Sequence, residues 1–347
     1  MIMDQKINVL YQSSDAYAPI MGVSITSLFE NNKNVPTLDV YIIDGGIQEA
    51  TKSVILHLGE QYHRTIRFIS GMAIDELLEK RAVQKWRGSY AMYYKIYALD
   101  LIEEEIDRFL AIDADTIVNQ DIQALYKTDL GSNILGMVQD IMPASYLEKI
   151  GMHPNEAYYN SGVVLFDAVK WRSQRCSEQL ERFFAGNLDN ILYADQDALS
   201  IVLQDSIKKL PIIYNYFSIF TALNECLSFD LNTLYRLYSF DALSNYYPKS
   251  DLVAAEDSAV IYHYEGGTVV GRPWEVGHQP FVVFQLWEKY KLLSPWRDMK
   301  ALPSYETRYH KIEIALSRIL PKPLFLLIYK TAYTWYWKRI LRIRPNN

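Results

Sequence analysis

Apolar and helix-like segments alternate through the first 112 residues, and this alternation constrains the fold more than any other feature of the sequence. An apolar segment from Ile7 to Tyr11 is followed by a helix-like stretch from Pro19 to Glu30. The same order recurs, with strands predicted at residues 38–43, 65–69 and 108–112 and helices at residues 49–62 and 90–100. Such alternation is typical of an α/β sheet with parallel pairs. Because ligands of these sheets bind beyond the carboxyl ends of the strands, functional motifs should directly follow apolar runs.

The composition predicts a folded protein of a reducing compartment. Half of the 347 residues are apolar and 22% are charged, which is typical of globular proteins. The two cysteines, Cys176 and Cys226, provide neither a disulfide framework nor a C-x-x-C metal site. The N-terminal segment lacks the long apolar core of a signal peptide, and no run of 18 apolar residues is present. These features predict a cytoplasmic location.

Charge is distributed unevenly along the chain. The net charge is −6, but residues 318–347 contain seven basic residues and no acidic ones, which leaves −13 on the rest. An acidic body argues against nucleic-acid binding, whereas a basic, aromatic tail points to an anionic surface. Prolines become frequent after Trp274. We therefore predict a main domain, residues 1–275, and a smaller C-terminal region, residues 276–347.

Two aspartates end the strongest predicted strand. Asp113 and Asp115 follow the apolar run of residues 108–112, and in an extended chain they face the same side. They can therefore bind one hard divalent cation together. The D-x-D spacing is weak on its own, because it occurs by chance in a chain of this composition and Asp195-Gln196-Asp197 is a second instance. Carboxylates that cap a helix or solvate a turn are the alternative.

His263 offers a nitrogen ligand for the same cation. It follows an apolar segment and precedes a glycine-rich turn that contains Gly266. A neutral imidazole can complete a carboxylate site for Mn²⁺ or Mg²⁺, and glycines let backbone N–H groups approach phosphates. A single histidine is more often structural, and 150 residues separate His263 from Asp113. Only the fold can bring them together.

Six ordered segments of the chain resemble one enzyme family. They are SSDAYAPIMGVSITSLFENN, SYAMYYKIYALDLI, FLAIDADTIVNQDIQALYKTDLGSNILGMVQD, KIGMHPNEAYYNSGVVLFDAVKWR, YADQDALS, and IYHYEGG followed by RPW. In this order they resemble glycosyltransferase family 8, most closely its bacterial lipooligosaccharide and lipopolysaccharide α-galactosyltransferases. The resemblance covers about the first 275 residues.

The resemblance implies a GT-A fold, which is a Rossmann-like nucleotide-binding domain with a mixed central sheet, followed here by a small helical C-terminal region. It also implies transfer of galactose or glucose from a UDP-sugar, with retention of the anomeric configuration and with Mn²⁺ or Mg²⁺ as cofactor. Asp113, Asp115 and His263 match the metal ligands of the family, and Ala114 lies in the same donor-binding motif. The metal would neutralise the UDP leaving group, where negative charge develops.

Further residues match donor-binding positions of the family. Asp15 and Tyr17 match the segment that holds uracil and ribose, and Asn160 and Asp195 match positions around the donor sugar. Gln196 would lie near the anomeric carbon, where its carbonyl oxygen can support an oxocarbenium-like transition state. A double displacement needs a carboxylate nucleophile instead, for which Asp195 is the candidate. Both mechanisms stay open.

Three positions depart from the family pattern. Lys95 stands where many relatives have arginine, which keeps the charge but loses the planar bidentate fork. Arg272 takes the place of a lysine before Pro-Trp, in a loop that is about three residues longer than in the resembling enzymes. Ser14 replaces the first acidic residue on the uracil side and only Asp15 is kept, so base recognition is expected to differ.

Two other functions fit parts of the sequence. The segment FLAIDADTIV also resembles the first motif of haloacid-dehalogenase-like phosphatases, but Thr116 comes one position too early. The second alternative is a non-catalytic relative that binds a sugar nucleotide. Retention of both aspartates, His263 and Gln196 argues against it.

The C-terminal segment has the pattern of an interfacial helix. At about 100° per residue its apolar side chains form one stripe, which contains Phe325, Tyr329, Ala332, Tyr336, Ile340 and Ile343. Lys338, Arg339 and Arg342 lie on another side, where they can approach anionic headgroups. We therefore predict a peripheral enzyme on the cytoplasmic face of the cell membrane, acting on a glycan or lipid-linked acceptor. A helix packed on the main domain or in a dimer interface is the alternative.

Overall fold

The structure is a computed structural model, which describes residues 6–102, 106–227, 246–265, 271–276, 281–303 and 319–342, together with residues 312, 315 and 316. Its strands are β1 (Ile7–Ser13), β2 (Leu38–Asp44), β3 (Thr65–Ser70), β4 (Arg108–Ile112), β5 (Thr116–Val118), β6 (Leu135–Gln139), β7 (Tyr159–Asp167), β8 (Ile207–Lys209), β9 (Tyr216–Phe217) and β10 (Ile261–His263). Its α-helices are α1 (Ala18–Asn31), α2 (Glu49–Gln61), α3 (Gly71–Lys80), α4 (Tyr94–Leu101), α5 (Gln123–Tyr126), α6 (Ala144–Lys149), α7 (Ala168–Ser173), α8 (Cys176–Asn187), α9 (Ala194–Val202), α10 (Ser218–Leu227), α11 (Lys249–Ser258), α12 (Val282–Leu293) and α13 (Lys322–Arg342).

The described strands form two sheets. The larger one is mixed and has the order β3-β2-β1-β4-β7-β6-β8, in which β7 runs antiparallel to both β4 and β6 and the other neighbours are parallel. The smaller sheet has the order β5-β10-β9, with β10 antiparallel to β5 and parallel to β9. The predicted α/β fold is confirmed, and so is the mixed central sheet.

Both faces of the large sheet are covered, which explains the continuous apolar runs of its strands. Alternate residues of β1 enter different cores. Val9 and Tyr11 pack with α1, whereas Leu10 packs on the opposite face with α4. The predicted strands recur with similar bounds, but the helix predicted at residues 90–100 is a 3₁₀ turn, Ala91–Tyr93, followed by α4.

The strand directions determine which residues meet at one edge of the sheet. β1 and β4 are parallel, and β6 runs in the same direction because both β4 and β6 are antiparallel to β7. The carboxyl ends of β1, β4 and β6 therefore share one edge. Ser14, Asp113 and Asp140 are the first residues beyond these three strands.

The helices α12 and α13 contribute to the core that contains α1. Phe284 and Trp287 of α12 are buried in the same core as α1, and so are Phe325 and Tyr329 of α13. Phe325 and Tyr329 belong to the stripe predicted to face a membrane. For these two residues that interpretation is wrong, because their rings are removed from water by the domain core instead. The side chains of Tyr336, Ile340 and Ile343 lie outside the described residues.

Across the described parts of the chain, no helix combines the length and the hydropathy that crossing a bilayer requires.

Candidate active site

Backbone hydrogen bonds fix the turn that carries the D-x-D motif. Beyond the end of β4, the N–H of Asp113 donates to Gly162 O at 2.8 Å. The N–H of Tyr264 donates to Asp115 O at 2.8 Å, and Thr116 Oγ1 donates to Asp113 O at 2.9 Å. Since bonds from two neighbouring strands hold the turn, both carboxylates project from a rigid backbone. Ala114 between them is buried in the core.

Strand pairing brings His263 to this turn. In the small sheet His263 of β10 is the register partner of Thr116, which directly follows Asp115. His263 Nε2 lies 3.3 Å from Asp115 Oδ1. One ligand atom from each of Asp113, Asp115 and His263 falls within 4.8 Å of the others. The structure therefore places together three residues that the sequence could not connect.

A glycine makes room for the imidazole ring. A Cβ atom built on Gly162 of β7 would lie 2.3 Å from His263 Cε1 and 2.6 Å from its Nδ1. No side chain larger than hydrogen fits at that distance without moving the ring or the strand. The glycine in the segment NSG is therefore needed for the position of His263.

A proton on His263 Nε2 joins the imidazole to the carboxylate of Asp115. Burial disfavours the charged ring, but the hydrogen bond and the charge of Asp115 outweigh burial and raise the pKa of His263 to about 9. In the same way His263 holds the pKa of Asp115 below its ordinary value, against the effect of burial. A divalent cation that binds these atoms must displace this proton.

Lys95 links the D-x-D motif to the start of α9. Its Nζ donates to Asp113 Oδ1 and to Ser161 O, each at 2.9 Å, and lies 3.0 Å from Asp195 Oδ2. Burial disfavours its charge, but Asp113 and Asp195 outweigh burial and hold the pKa of Lys95 above its ordinary value. The three protons of one ammonium group can serve three acceptors that converge from different elements. A planar fork is not required here.

Gln196 lies in a polar cluster at the same edge of the sheet. Its Oε1 accepts from the N–H of Ser161 at 3.1 Å, and its Nε2 donates to Asp140 Oδ2 at 3.1 Å. Asn160 Nδ2 donates to the same Asp140 oxygen at 3.0 Å. Burial raises the pKa of Asp140, and the hydrogen bond from Asn160 is the first of three that oppose this rise.

In the second D-x-D triplet, Asp195-Gln196-Asp197, the carboxylate of Asp197 has a structural role. Asp197 is completely buried and accepts hydrogen bonds from the hydroxyls of Tyr146, at 2.6 Å, and Tyr158, at 2.5 Å. The backbone N–H groups of Leu192 and Tyr193 also donate to it. Asp197 thus anchors the start of α9, and this leaves Asp195 and Gln196 facing the candidate site.

The residues expected to hold uracil, ribose and phosphate lie farther along the edge. Asp15 Oδ1 accepts from the N–H of Gln48 at 3.0 Å, and the ring of Tyr17 meets Trp274 edge to face, with centroids 6.3 Å apart. Arg272 Nη2 donates to Glu265 O at 3.0 Å. Gly266 lies outside the described residues.

Four residues of the site were missed from the sequence; they are Asp140, Gly162, Asn215 and Glu265. Asp140 carried a usable signal, since it follows an apolar strand just as Asp113 does. Glu265 follows His263 by two positions, and burial together with the charge of Asp140 raises its pKa to about 8. Asn215 carries no sequence signal. It contacts His263 only because β9 pairs with β10.

The family model described as "Glycosyl transferase family 8" matches residues 8–277. The chain belongs to this family. Lipopolysaccharide 1,2-glucosyltransferase of Escherichia coli K12 is 28% identical to this chain over 314 residues, which cover 87% of this chain and 84% of the relative. General stress protein A of Bacillus subtilis 168 is 29% identical over 205 residues, which cover 58% of this chain and 71% of the relative.

Solved structures of similar fold include the galactosyltransferase LgtC in complex with donor and acceptor sugar analogs. Its TM-score is 0.64 at 22% identity, with 83% of this chain and 96% of that chain covered. The glycosyltransferase GlyE of Streptococcus pneumoniae has a TM-score of 0.57 at 17% identity, and the match covers 95% of this chain and 64% of the GlyE chain. The predicted GT-A fold of the family 8 chain is thus confirmed.

Proposed function

We propose that the chain is a Mn²⁺-dependent, retaining hexosyltransferase that moves galactose or glucose from a UDP-sugar to a glycan or lipid-linked acceptor. The observation that carries this proposal is the meeting of Asp113, Asp115 and His263 at one edge of the sheet, within 4.8 Å of one another. The Escherichia coli relative is named as a glucosyltransferase, and LgtC, which has a similar fold, is named as a galactosyltransferase; both names support a hexose donor. Residues 1–275 form the proposed catalytic domain.

The residues present suit a divalent cation. Two carboxylate oxygens and one imidazole nitrogen form a set of ligands that suits Mn²⁺. Mg²⁺ prefers oxygen ligands and could use the two carboxylates. Asp113, Asp115 and His263 would hold the ion, which would supply Lewis-acid neutralisation of the departing diphosphate. Gly162 supports this assignment, because it keeps His263 close to Asp115.

The surrounding residues orient the donor and stabilise charge. Lys95 pairs with both Asp113 and Asp195 and so places a positive charge between two carboxylates where a polyanionic donor would bind. We propose that Asp15, Tyr17, Asn160 and Arg272 bind the donor, together with Ala114 and Gly266. The carbonyl oxygen of Gln196 stabilises the positive charge that develops on the sugar ring. This oxygen has a second lone pair beyond the one that accepts from the N–H of Ser161.

We expect Gln196→Ala to slow transfer by roughly 10²-fold without abolishing it, because one oriented dipole is lost while the other groups stay. No glycosyl adduct should accumulate on the protein. Steady-state UDP release and intact-protein mass spectrometry measure both effects, with Gln120→Ala as the control, at an exposed glutamine beyond the opposite end of β5 from Asp115. A glycosyl adduct trapped on Asp195 would contradict this role and make the reaction a double displacement.

We also propose that α13 docks the enzyme on the cytoplasmic face of an anionic membrane. The buried Phe325 and Tyr329 hold the helix to the domain, so the docking face is another one. Leu327 is 64% exposed and Trp335 59%, and Lys330 and Arg339 are also exposed beside them. Leu327 with Lys330, and Trp335 with Arg339, place an exposed apolar and an exposed basic side chain one helical turn apart, a combination that favours an anionic headgroup region.

We expect the double variant Leu327→Glu, Trp335→Glu to lose binding to anionic vesicles and to keep turnover on soluble acceptors. Two anionic groups replace the side chains that would enter the headgroup region, while the buried contacts of α13 remain. Vesicle co-sedimentation measures binding. Leu56→Glu, at an exposed leucine of α2, is the control. Undiminished vesicle binding by the double variant would refute this docking face.

The donor is identified by a panel of UDP-sugars, assayed for UDP release with Mn²⁺, with Mg²⁺ and with EDTA. We expect Mn²⁺-dependent release from UDP-galactose or UDP-glucose. Phosphate release from simple monoesters would instead favour the phosphatase reading of FLAIDADTIV. Binding of a UDP-sugar without any release, with every acceptor offered, would favour the non-catalytic relative.

A further inference from the structure

A chain of hydrogen bonds connects His263 with Gln196. His263 Nδ1 lies 3.1 Å from Asn215 Oδ1, and Asn215 Nδ2 donates to Asn160 Oδ1 at 2.8 Å. Asn160 Nδ2 then donates to Asp140 Oδ2 at 3.0 Å, and Gln196 Nε2 donates to the same oxygen at 3.1 Å. Because the three amide side chains are buried, protein groups and not bulk water determine their orientation.

Two backbone N–H groups fix the direction of this chain. The N–H of Gly162 donates to Asn160 Oδ1 at 2.8 Å, and the N–H of Ser161 donates to Gln196 Oε1 at 3.1 Å. A backbone N–H can only donate, so the oxygen of each amide must face it. The two NH₂ groups consequently face Asp140, whose carboxylate accepts both.

The same direction passes to Asn215. Because Asn160 presents its oxygen, Asn215 must present its NH₂ group to it, and the oxygen of Asn215 is left facing His263. An amide oxygen only accepts, so Nδ1 of His263 must carry a proton. Nε2, on the other side of the ring, is the nitrogen that points to Asp115.

We propose that Asn215 is a positioning residue that holds His263 with its proton on Nδ1, so that the lone pair of Nε2 is left to bind the divalent cation. Asn215 precedes β9, whose Phe217 is the register partner of His263, and its side chain is fully buried. This role rests on the proposed metal-dependent function. Partners that orient a metal-binding histidine in this way affect metal affinity about 10- to 100-fold.

The test measures the affinity of the full chain for Mn²⁺ in the presence of UDP, by the electron paramagnetic resonance signal of free Mn²⁺, with no sugar donor and hence no turnover. Asn215→Leu removes the acceptor for Nδ1–H and should weaken Mn²⁺ binding about 10- to 100-fold. Asn215→Asp loses the donor to Asn160 but keeps an oxygen that faces the ring, so it should bind Mn²⁺ clearly more tightly than Asn215→Leu.

Asn32→Leu is the matched control. Asn32 is another fully buried asparagine, whose Nδ2 donates to Leu28 O and whose Oδ1 accepts from the N–H of Ile122. It should lose stability to a similar extent and keep its Mn²⁺ affinity. Equal affinity of the wild type and a folded Asn215→Leu would overturn the proposal, as would a wild-type chain that binds no Mn²⁺ with UDP.

A second measurement needs no variant at position 215. The wild-type chain with ¹⁵N-labelled histidines is studied by nuclear magnetic resonance in complex with Mg²⁺ and UDP, and the His263 signals are assigned by their loss in His263→Ala. These signals should show the proton of His263 on Nδ1. A proton on Nε2 alone would overturn the proposal. Failure of the proposed function looks different, since the wild type would then bind Mn²⁺ and UDP and yet release no UDP from UDP-hexoses.

Discussion

Asp113→Asn and Asp115→Asn should each lower Mn²⁺-dependent UDP release by roughly 10³-fold, since a factor of this size corresponds to the several kcal/mol of charge stabilisation that a bound metal supplies. Both substitutions keep the shape of the side chain and remove its charge. The backbone bonds that hold the turn use the N–H and C=O groups of these residues, so the fold should survive. A coupled UDP assay measures activity, and circular dichroism with thermal unfolding measures the fold.

Asp129→Asn is the control for this pair. Asp129 accepts from the N–H of Gly131 in an exposed turn outside the site, and its variant should keep wild-type turnover. Wild-type activity of either Asp113→Asn or Asp115→Asn with Mn²⁺ would show that the D-x-D motif does not hold the metal. The melting curves show whether each variant is folded at the assay temperature, so that a loss of activity can be assigned to the site and not to unfolding.

Lys95→Met should destabilise the fold by about 3–5 kcal/mol, which is the usual cost of removing one partner from a buried ion pair. The side chains of Lys95 and Asp195 are 12% and 4% exposed, so Asp195 would be left as a buried carboxylate without its counter-charge. Turnover should fall as well, because Asp113 loses the same partner. Urea unfolding measures the change in stability, and Lys95→Arg should restore most of it.

Lys170→Met provides the comparison for Lys95→Met. Lys170 pairs with Asp167 at 2.9 Å, but its side chain is 31% exposed, and pairs near the surface contribute about 0–1 kcal/mol. If Lys95→Met cost no more stability than Lys170→Met, the interpretation of Lys95 as the link between the two carboxylates would be wrong.

Much of the large sheet could be predicted from the sequence. Because both faces of the large sheet are buried, its strands appear as continuous apolar runs, and β4 was predicted with its observed bounds. The carboxyl end of β4 then pointed to Asp113 and Asp115. The same rule applied to β6 would have found Asp140, which lies at the same edge of the sheet.

The remaining features depend on contacts between distant parts of the chain. A buried strand has the same apolar pattern in either direction, so the antiparallel course of β7 could not be predicted from its composition. Asn215 acquires its position through the pairing of β9 with β10. The helical periodicity of α13 identified an apolar stripe, but periodicity does not distinguish a domain core from a membrane as the partner of Phe325 and Tyr329.

The most direct test of the central claim is ¹H nuclear magnetic resonance of the anomeric proton during reaction of UDP-galactose and UDP-glucose with the full chain. We expect one of these donors to be cleaved with Mn²⁺ and not with EDTA, and the transferred or released hexose to appear first as the α-anomer, with the configuration of the donor. Appearance of the β-anomer first, or cleavage that proceeds equally in EDTA, would contradict a metal-dependent retaining hexosyltransferase.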